Sequence, residues 1–381
     1  MLPAVLVPLF DHPALEERYA SWQSQMLLRR DHPALDFYDP HESAADAAAQ
    51  FDEEFVLVVT DPLLLPSPRL GERLQAAIGD AFAAVPVSND ATEVRQRIDV
   101  RPYMTLRELE REAAAVEARR TPPERMQWGN ADPGAFLCRT STLRSLKMPL
   151  ARVLAGREVV LARDVLVHRW ASLRGQTRID LLDRISPGAR TILEFGCGEA
   201  PLGEALKRRQ KCRVVGVELD PQAAAIARKR IDDVYQGDVR DIVARLDERF
   251  DFIVGGDIVE HLDEPWSFLG DLRHIATPGA HLLLSLPNIA NASIVGDLLQ
   301  GRFDYVYMGL TCVGHLRFFT RRTVEEMLTI AGWEVISIEP QALASTREQA
   351  QLLEALRTAG IPFEESEVTP SGFYVTARNR E

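Results

Sequence analysis

Three acids and two glycines in the second half of the chain have the types and spacing that nucleotide binding needs. In Thr191-Ile192-Leu193-Glu194-Phe195-Gly196-Cys197-Gly198-Glu199-Ala200 an apolar run ends in an acid and passes into a loop with two closely spaced glycines. Glycine reaches positive φ without strain and lacks a Cβ, so a ligand can approach the backbone where the chain turns into the next helix. Glu218 ends a second apolar run, 24 residues after Glu194, where a carboxylate can accept both hydroxyls of a ribose. Asp238 follows Gln236-Gly237 after a third run. Singly, Glu218 could merely end a strand and Asp238 could merely form a turn. Three such acids in register mark the crevice at the carboxyl ends of an open α/β sheet, where ligands bind. A nicotinamide fingerprint counted from Gly196 would need a small residue at 201, and that position is Pro201.

A second set of residues suits proton transfer. Phe250 to Leu262 ends in Asp257-Ile258-Val259-Glu260-His261-Leu262, which sets His261 one helical turn beyond Asp257. Gly314, His315 and Arg317 interrupt otherwise apolar surroundings. Histidine is the side chain suited to accepting a proton near neutral pH. His261 reads rather as capping or packing the turn, and His315 is open to both a functional and a structural reading. Phe303, Tyr305 and Tyr307 alternate with period two, as one face of a strand or lid does, and Phe318 and Phe319 read as core. The four cysteines, Cys138, Cys197, Cys212 and Cys312, form no C-x-x-C pair and no zinc spacing, so reduced cytosolic thiols and no metal are expected.

The elements that must position these groups alternate strand and helix. Strands are expected at Thr191 to Phe195, Arg213 to Glu218, Asp233 to Gln236, Phe250 to Gly255, Ala280 to Ser285, Trp333 to Glu339 and Gly372 to Ala377. Together they make a doubly wound, seven-stranded α/β sheet. Ser172 to Ile185 reads as a helix leading in, and Asp220-Pro221 as the cap and first residue of an Ala-rich helix. Gln341 to Pro370 reads as a helix-plus-loop insertion suited to a lid or to contact between copies of the chain.

The first half also alternates. Val5 to Val7, Phe55 to Val59 and Gly134 to Cys138 are strand-like. Arg69 to Ile78 spaces Leu70, Leu74, Ala77 and Ile78 on one helical face, whereas Leu106 to Arg120 reads as a solvated helix. At 381 residues the chain exceeds one comfortable core, so two domains are expected. A formal charge of −12 argues against a nucleic-acid backbone as the main partner. No run approaches the roughly 20 apolar residues of a membrane helix. The opening MLPAVLVPLF lacks a basic region and carries Pro3 and Pro8, so it reads as a strand and not a leader. A cytoplasmic protein is the expectation.

The second half resembles a known family. Glu194-Phe195-Gly196-Cys197-Gly198-Glu199-Ala200 is similar to the E/D-x-G-x-G-x-G signature of class I S-adenosylmethionine-dependent methyltransferases, with Ala200 in the third glycine's place. The resemblance implies a Rossmann-like methyltransferase domain over residues 172–381 with S-adenosylmethionine as cofactor. It implies donor contacts from Glu194, Gly196, Cys197, Gly198, Glu218, Leu219, Asp238, Val239 and Asp257, with Asp238 on the adenine amino group, Val239 by the ring and Asp257 beside the methyl donor. The D-x-x-E-H-L run resembles the ubiquinone-biosynthesis and related small-molecule enzymes. Asn288 to Thr320, ending His315-Leu316-Arg317-Phe318-Phe319-Thr320, resembles methyltransferases encoded in, or fused to, surface-glycan glycosyltransferases, where this stretch shapes the acceptor site. A sulfonium methyl is already activated, so the protein has chiefly to align a nucleophile about 3 Å away. A sugar hydroxyl benefits further from a base, His315 or else His261.

The first half has a resemblance of its own. FVLVVTDPLLLPSPRLGERLQAAI, VPVSND, PGAFLCRTSTLRSL and AGREVVLARDVLVHRW look in that order like pieces of the family-two glycosyltransferases. Two departures matter. Such enzymes fix a hard divalent cation with Asp-x-Asp, and this chain has the single carboxylate of Asp61-Pro62-Leu63. The family's acidic pair, one member of which is a general base, is missing from Ser145 to Leu154. The expectation is a degenerate A-type glycosyltransferase-like α/β domain over residues 1–171 that positions a saccharide or a glycan-assembly partner without transferring sugar.

Overall fold

The computed structural model describes residues 2–32, 34–101, 103–169, 177–341 and 345–380. The chain divides into two compact units. One is Met1–Ala171 with Asp304–Val313, and the other is Ser172–Phe303 with Gly314–Glu381. The junction at 171/172 lies outside the described residues.

The first unit is a mixed α/β layer. Its strands are β1 (Ala4–Pro8), β2 (Leu35–Tyr38), β3 (Phe55–Val59), β4 (Leu65–Pro66), β5 (Ala83–Ser88), β6 (Glu124–Gln127), β7 (Ala135–Arg139) and β8 (Glu158–His168). The sheet runs β2-β1-β3-β7-β5-β8-β4, with β6 added on β8. All five residues of β3 are buried, as a strand covered on both faces requires. β3 pairs parallel with β1 and antiparallel with β7. The helix Leu70–Ile78 buries Leu70, Leu74 and Ile78, one face of the expected spacing.

Two expectations for this unit need correction. The helix Leu106–Ala118 is not solvated all round, since Glu108 and Glu112 are buried beside Leu109, Ala113 and Val116. Burial is tolerated because both acids are engaged. Glu108 accepts the Met104 amide at 2.6 Å, and Glu112 meets the Arg101 guanidinium at 2.8 Å. The alternating aromatics do not form a strand either. Val306 bridges Cys312 in a tight loop, and the Tyr305 carbonyl accepts from Gln23 Nε2 at 2.9 Å and from the Tyr19 hydroxyl at 3.3 Å.

The second unit holds, among the described residues, one sheet of seven strands. These are β9 (Thr191–Phe195), β10 (Arg213–Glu218), β11 (Asp233–Gln236), β12 (Phe250–Gly256), β13 (Ala276–Pro287), β14 (Glu334–Gln341) and β15 (Gly372–Arg378), in the order β11-β10-β9-β12-β13-β15-β14. β9 through β13 pair parallel, and β15 inserts antiparallel between β13 and β14. The apolar runs of β9, β12 and β13 are buried because helices cover both faces, giving two cores built around Leu193 and Phe195 on one side and Ile192 and Val254 on the other. The chain order reverses between β9 and β12, so the crevice at their carboxyl ends is the topological switch point.

Local signals place the helices around it. Asp220 caps Pro221–Ala227 by accepting the Gln222 amide at 2.7 Å. Of the expected lead-in helix, residues 172–176 lie outside the described residues, and within 177–185 the helix is the single turn Ile179–Leu182. Ser186-Pro187-Gly188 then turns the chain. In the segment from Gln341 to Pro370, with 342–344 outside the described residues, the helix Arg347–Thr358 starts at a capping box of Thr346 and Gln349. Phe319 is core, but Phe318 is exposed. Among the described residues, no helix is long and apolar enough to cross a membrane.

Candidate active site

The loop after β9 is shaped by three positive φ values, at Gly196 (68°), Gly198 (55°) and Ala200 (57°). Only the glycines adopt such angles without strain, and Ala200 is held there as the N-cap of the helix Pro201–Arg209. The two glycines do different work. A Cβ on Gly196 would lie 2.2 Å from Ile258 Cδ1, whereas one on Gly198 would meet nothing within 4 Å. Gly196 therefore lets the loop close on the end of β12, and Gly198 presents bare backbone to open space.

Glu218 ties this loop to β10. Its Oε2 accepts the Gly198 amide at 2.7 Å and its Oε1 the Asp220 amide at 2.8 Å. Two backbone donors fix the carboxylate plane at the strand end while leaving it partly accessible. Leu219 beside it is exposed. Cys197 faces the other way. Its side chain is buried, and a Cβ on Gly216 would stand 2.7 Å from Cys197 Sγ. Only the backbone of Cys197 faces the loop, and burial pushes its thiol well above the usual range.

Glu194 is placed beneath the loop. It is buried and its Oε2 has no hydrogen-bond partner. Burial pushes its carboxyl up to about 8, with the Gly203 amide opposing and the Glu218 charge adding. A Cβ on Gly203 would stand 3.2 Å from Glu194 Oε2. Asp238 is the N-cap of Val239–Val243 and holds Arg240: Oδ1 accepts the Arg240 amide at 2.9 Å and Nε at 3.0 Å, and Oδ2 accepts Nη2 at 2.7 Å. Those bonds with Arg240 hold its carboxyl below the usual range. Val239 packs partly buried on the core.

Asp257, at the end of β12, is a non-glycine at φ 55°. Three contacts hold it there. Asp257 Oδ2 accepts Arg178 Nη1 at 2.7 Å, Oδ1 accepts the Ser285 hydroxyl at 2.8 Å, and its amide donates to the Ser285 carbonyl at 3.2 Å. Arg178 also grips Asp180 through Nε at 3.0 Å and Nη2 at 2.8 Å, and Tyr374 donates to that same Asp180 at 2.8 Å. Burial works against the Arg178 charge, but Asp180 and Asp257 outweigh it and hold the guanidinium well above its ordinary range. A guanidinium and an acid at one strand end present both signs of charge side by side.

Beyond Asp257 the short turn Val259–His261 carries Glu260 and His261. The Glu260 carbonyl accepts the amides of Leu316 and Arg317 at 2.8 and 3.1 Å, which joins the His315 segment to this turn. His315 Nε2 consequently lies 3.9 Å from Glu260 Oε1, and its ring meets that of His261 edge-on with centroids 4.9 Å apart.

The structure thus brings Gly198 and Glu218 into direct contact, sets Gly196 against Ile258, gathers His261 with His315, and sets Cys197 and Glu194 beneath the loop. Sequence reasoning missed Arg178, Ser285 and Glu260. Arg178 lay inside the expected lead-in helix, where one more arginine carries no signal. Glu260 stood in view within D-x-x-E-H-L, and its apolar neighbours Val259 and Leu262 were the clue that it is buried.

A family model described as a methyltransferase domain matches residues 168–338. The ubiquinone biosynthesis O-methyltransferase of Hahella chejuensis is 27% identical over 140 residues, 32% of this chain and 58% of that protein. A probable S-adenosylmethionine-dependent methyltransferase of Mycolicibacterium smegmatis is 28% identical over 148 residues, 38% of this chain and 52% of that protein. The chain spans about half the length of the curated relatives it matches. The crystal structure of an S-adenosylmethionine-dependent methyltransferase from Archaeoglobus fulgidus aligns with 53% of this chain and 91% of its own at 17% identity and a TM-score of 0.40. Residues 168–338 thus hold an S-adenosylmethionine-dependent methyltransferase domain.

Proposed function

We propose that the chain transfers a methyl group from S-adenosylmethionine to a hydroxyl oxygen of a sugar or glycan intermediate. The observation that carries the methyltransferase reading is the glycine loop at the switch point, with bare backbone at Gly198 and a carboxylate fixed by that residue's own amide. The cofactor supplies a methyl group already activated on a sulfonium. Glu218 would accept the ribose hydroxyls, Asp238 and Val239 would meet the adenine, and Arg178 would take the carboxylate of the methionine end. Asp257, locked by Arg178 and Ser285, would stand beside its ammonium.

The acceptor hydroxyl is activated at the cluster of Glu260, His261 and His315, where imidazole is the group able to accept a proton near neutrality. The first unit positions the saccharide or an assembly partner and does not transfer sugar. What supports this is the fate of Asp61: its carboxylate is paired with Arg169 at 2.8 Å, and the same guanidinium takes Asp132 at 2.8 Å. A carboxylate neutralised by arginine is poorly placed to hold a diphosphate's cation.

A second reading, methylation of a quinone-like phenol, is favoured by the relatives named as ubiquinone biosynthesis O-methyltransferases. Calorimetry with S-adenosylmethionine and S-adenosylhomocysteine tests the donor site, and no binding at millimolar concentration would overturn the methyltransferase reading. Turnover on saccharide against phenolic acceptors separates the two acceptor classes. If His315→Gln and His261→Gln both kept near-native turnover, activation would lie elsewhere.

A further inference from the structure

Glu260 is a buried acid of the second unit whose burial the donor contacts leave unexplained. It is 0% exposed and neither carboxylate oxygen has a hydrogen-bond partner. A buried carboxyl left without hydrogen bonds is destabilising, so a protein keeps one where a ligand completes it. The group aimed at it is His315, with its side chain 7% exposed and Nε2 at 3.9 Å from Glu260 Oε1. His261 adds a second imidazole, and one ligand atom from each of the three residues lies within 4.8 Å of the others.

We propose that Glu260, His261 and His315 bind one divalent transition-metal ion, which holds and acidifies the acceptor hydroxyl. The proposal rests on the methyltransferase reading and specifies how that site activates its acceptor. Two imidazoles and one carboxylate suit Zn²⁺ or Mn²⁺ better than Mg²⁺ or Ca²⁺, which prefer oxygen ligands alone. Three protein ligands leave a position open for a substrate oxygen, as catalytic zinc sites do. Bonds of about 2.1 Å set ligand atoms roughly 3.0–3.4 Å apart, so side-chain shifts of about 1 Å close the set.

The turn and the His315 segment are already joined through the Glu260 carbonyl, so little backbone movement is needed. Asp257 is not a fourth ligand, because Arg178 and Ser285 occupy its oxygens. On binding the ion, the acceptor's O–H bond breaks, the electron pair stays on oxygen as the metal–oxygen bond forms, and the proton leaves to solvent water. With the ion bound, the imidazoles act as ligands, and the metal takes over from histidine the task of making the hydroxyl acidic. Cysteine spacing carries no sign of this site because no cysteine takes part.

The test is titration of the full chain with MnCl₂ and with ZnCl₂ by calorimetry, and by electron paramagnetic resonance for Mn²⁺. It is repeated on Glu260→Gln and His315→Ala, with S-adenosylhomocysteine affinity and thermal unfolding measured on each. One ion per chain is expected, weakened at least tenfold in both variants, with S-adenosylhomocysteine affinity changed less than threefold. No binding at millimolar metal, or binding that neither variant weakens, would overturn the proposal. Glu260→Gln removes a buried acid and is expected to fold, which guards against loss by misfolding. If metal binds but S-adenosylhomocysteine does not, the methyltransferase reading fails and the metal site stands. If S-adenosylhomocysteine binds and metal does not, the metal site alone fails.

Discussion

Glu218 accepts the backbone amide of Gly198 at 2.7 Å, so the acid at the end of β10 holds the glycine loop at the end of β9. One carboxylate thus fixes the loop, and in the proposed donor site it would also accept the ribose hydroxyls. Glu218→Ala is expected to lose both functions. Hydrogen bonds to a charged group contribute about 1.5–3 kcal/mol, so S-adenosylhomocysteine affinity should fall roughly 10- to 150-fold by calorimetry. Glu218→Gln should lose less. Equal affinity in Glu218→Ala and wild type would remove Glu218 from the donor site.

Gly196 and Gly198 share positive φ but should fail differently when changed to alanine. In Gly196→Ala the new methyl meets Ile258 Cδ1 at 2.2 Å in addition to the backbone strain. Overpacking and strain each cost on the order of 1–3 kcal/mol, visible as a lower urea midpoint. Ile258→Ala in the same chain should recover part of it. In Gly198→Ala the space is open, so stability should drop by only about 1 kcal/mol. Donor affinity should suffer more, because the methyl fills the bare backbone the ligand would approach.

Glu194 makes stability depend on pH. Burial raises its folded carboxyl to about 8 from an unfolded value of 4.5, with Glu218 adding, and Gly203 and Arg178 opposing. The folded state therefore binds the proton more tightly than the unfolded state. The stabilisation is complete below pH 4.5 and is lost as pH rises toward 8. Its full size is on the order of a few kcal/mol. Urea midpoints at pH 5 and pH 8 should show wild type losing more stability across this interval than Glu194→Gln. An identical slope in the two proteins would place the titrating group elsewhere.

Much of the second unit was legible because its signals are local. A buried parallel strand needs an apolar run wherever it sits in the sheet, so β9 through β13 were visible, with ends shifted by a few residues. Asp220 before Pro221 marked a helix start for the same reason. Strand order was not local: nothing in Gly372–Arg378 says that it inserts antiparallel between β13 and β14. The site divides in the same way. Gly196 and Gly198 are read from their spacing, whereas the joining of Glu260 to His315 depends on a carbonyl accepting two amides more than fifty residues further along. The charge pattern of Leu106–Ala118 misled because a carboxylate bonded to a nearby amide, as Glu108 is to Met104, can be buried like an apolar residue.

Arg178 shows what tertiary structure adds, since one guanidinium reaches Asp180, Asp257 and the Ser285 hydroxyl, the last at 3.2 Å. Asp257 is held at φ 55°, a conformation costing about 1–3 kcal/mol that persists only when its surroundings fix it. Arg178→Met removes one of those supports and leaves Asp180 with Tyr374. Part of the stability is expected to return in Arg178→Met/Asp257→Gly, where glycine adopts the same φ freely. If Arg178 also takes the donor's carboxylate, the double variant should fold near wild-type stability yet bind S-adenosylhomocysteine at least tenfold more weakly. A ligand lacking that carboxylate, such as methylthioadenosine, should bind both proteins alike. Were methylthioadenosine weakened just as much, Arg178 would be a support for Asp257 alone.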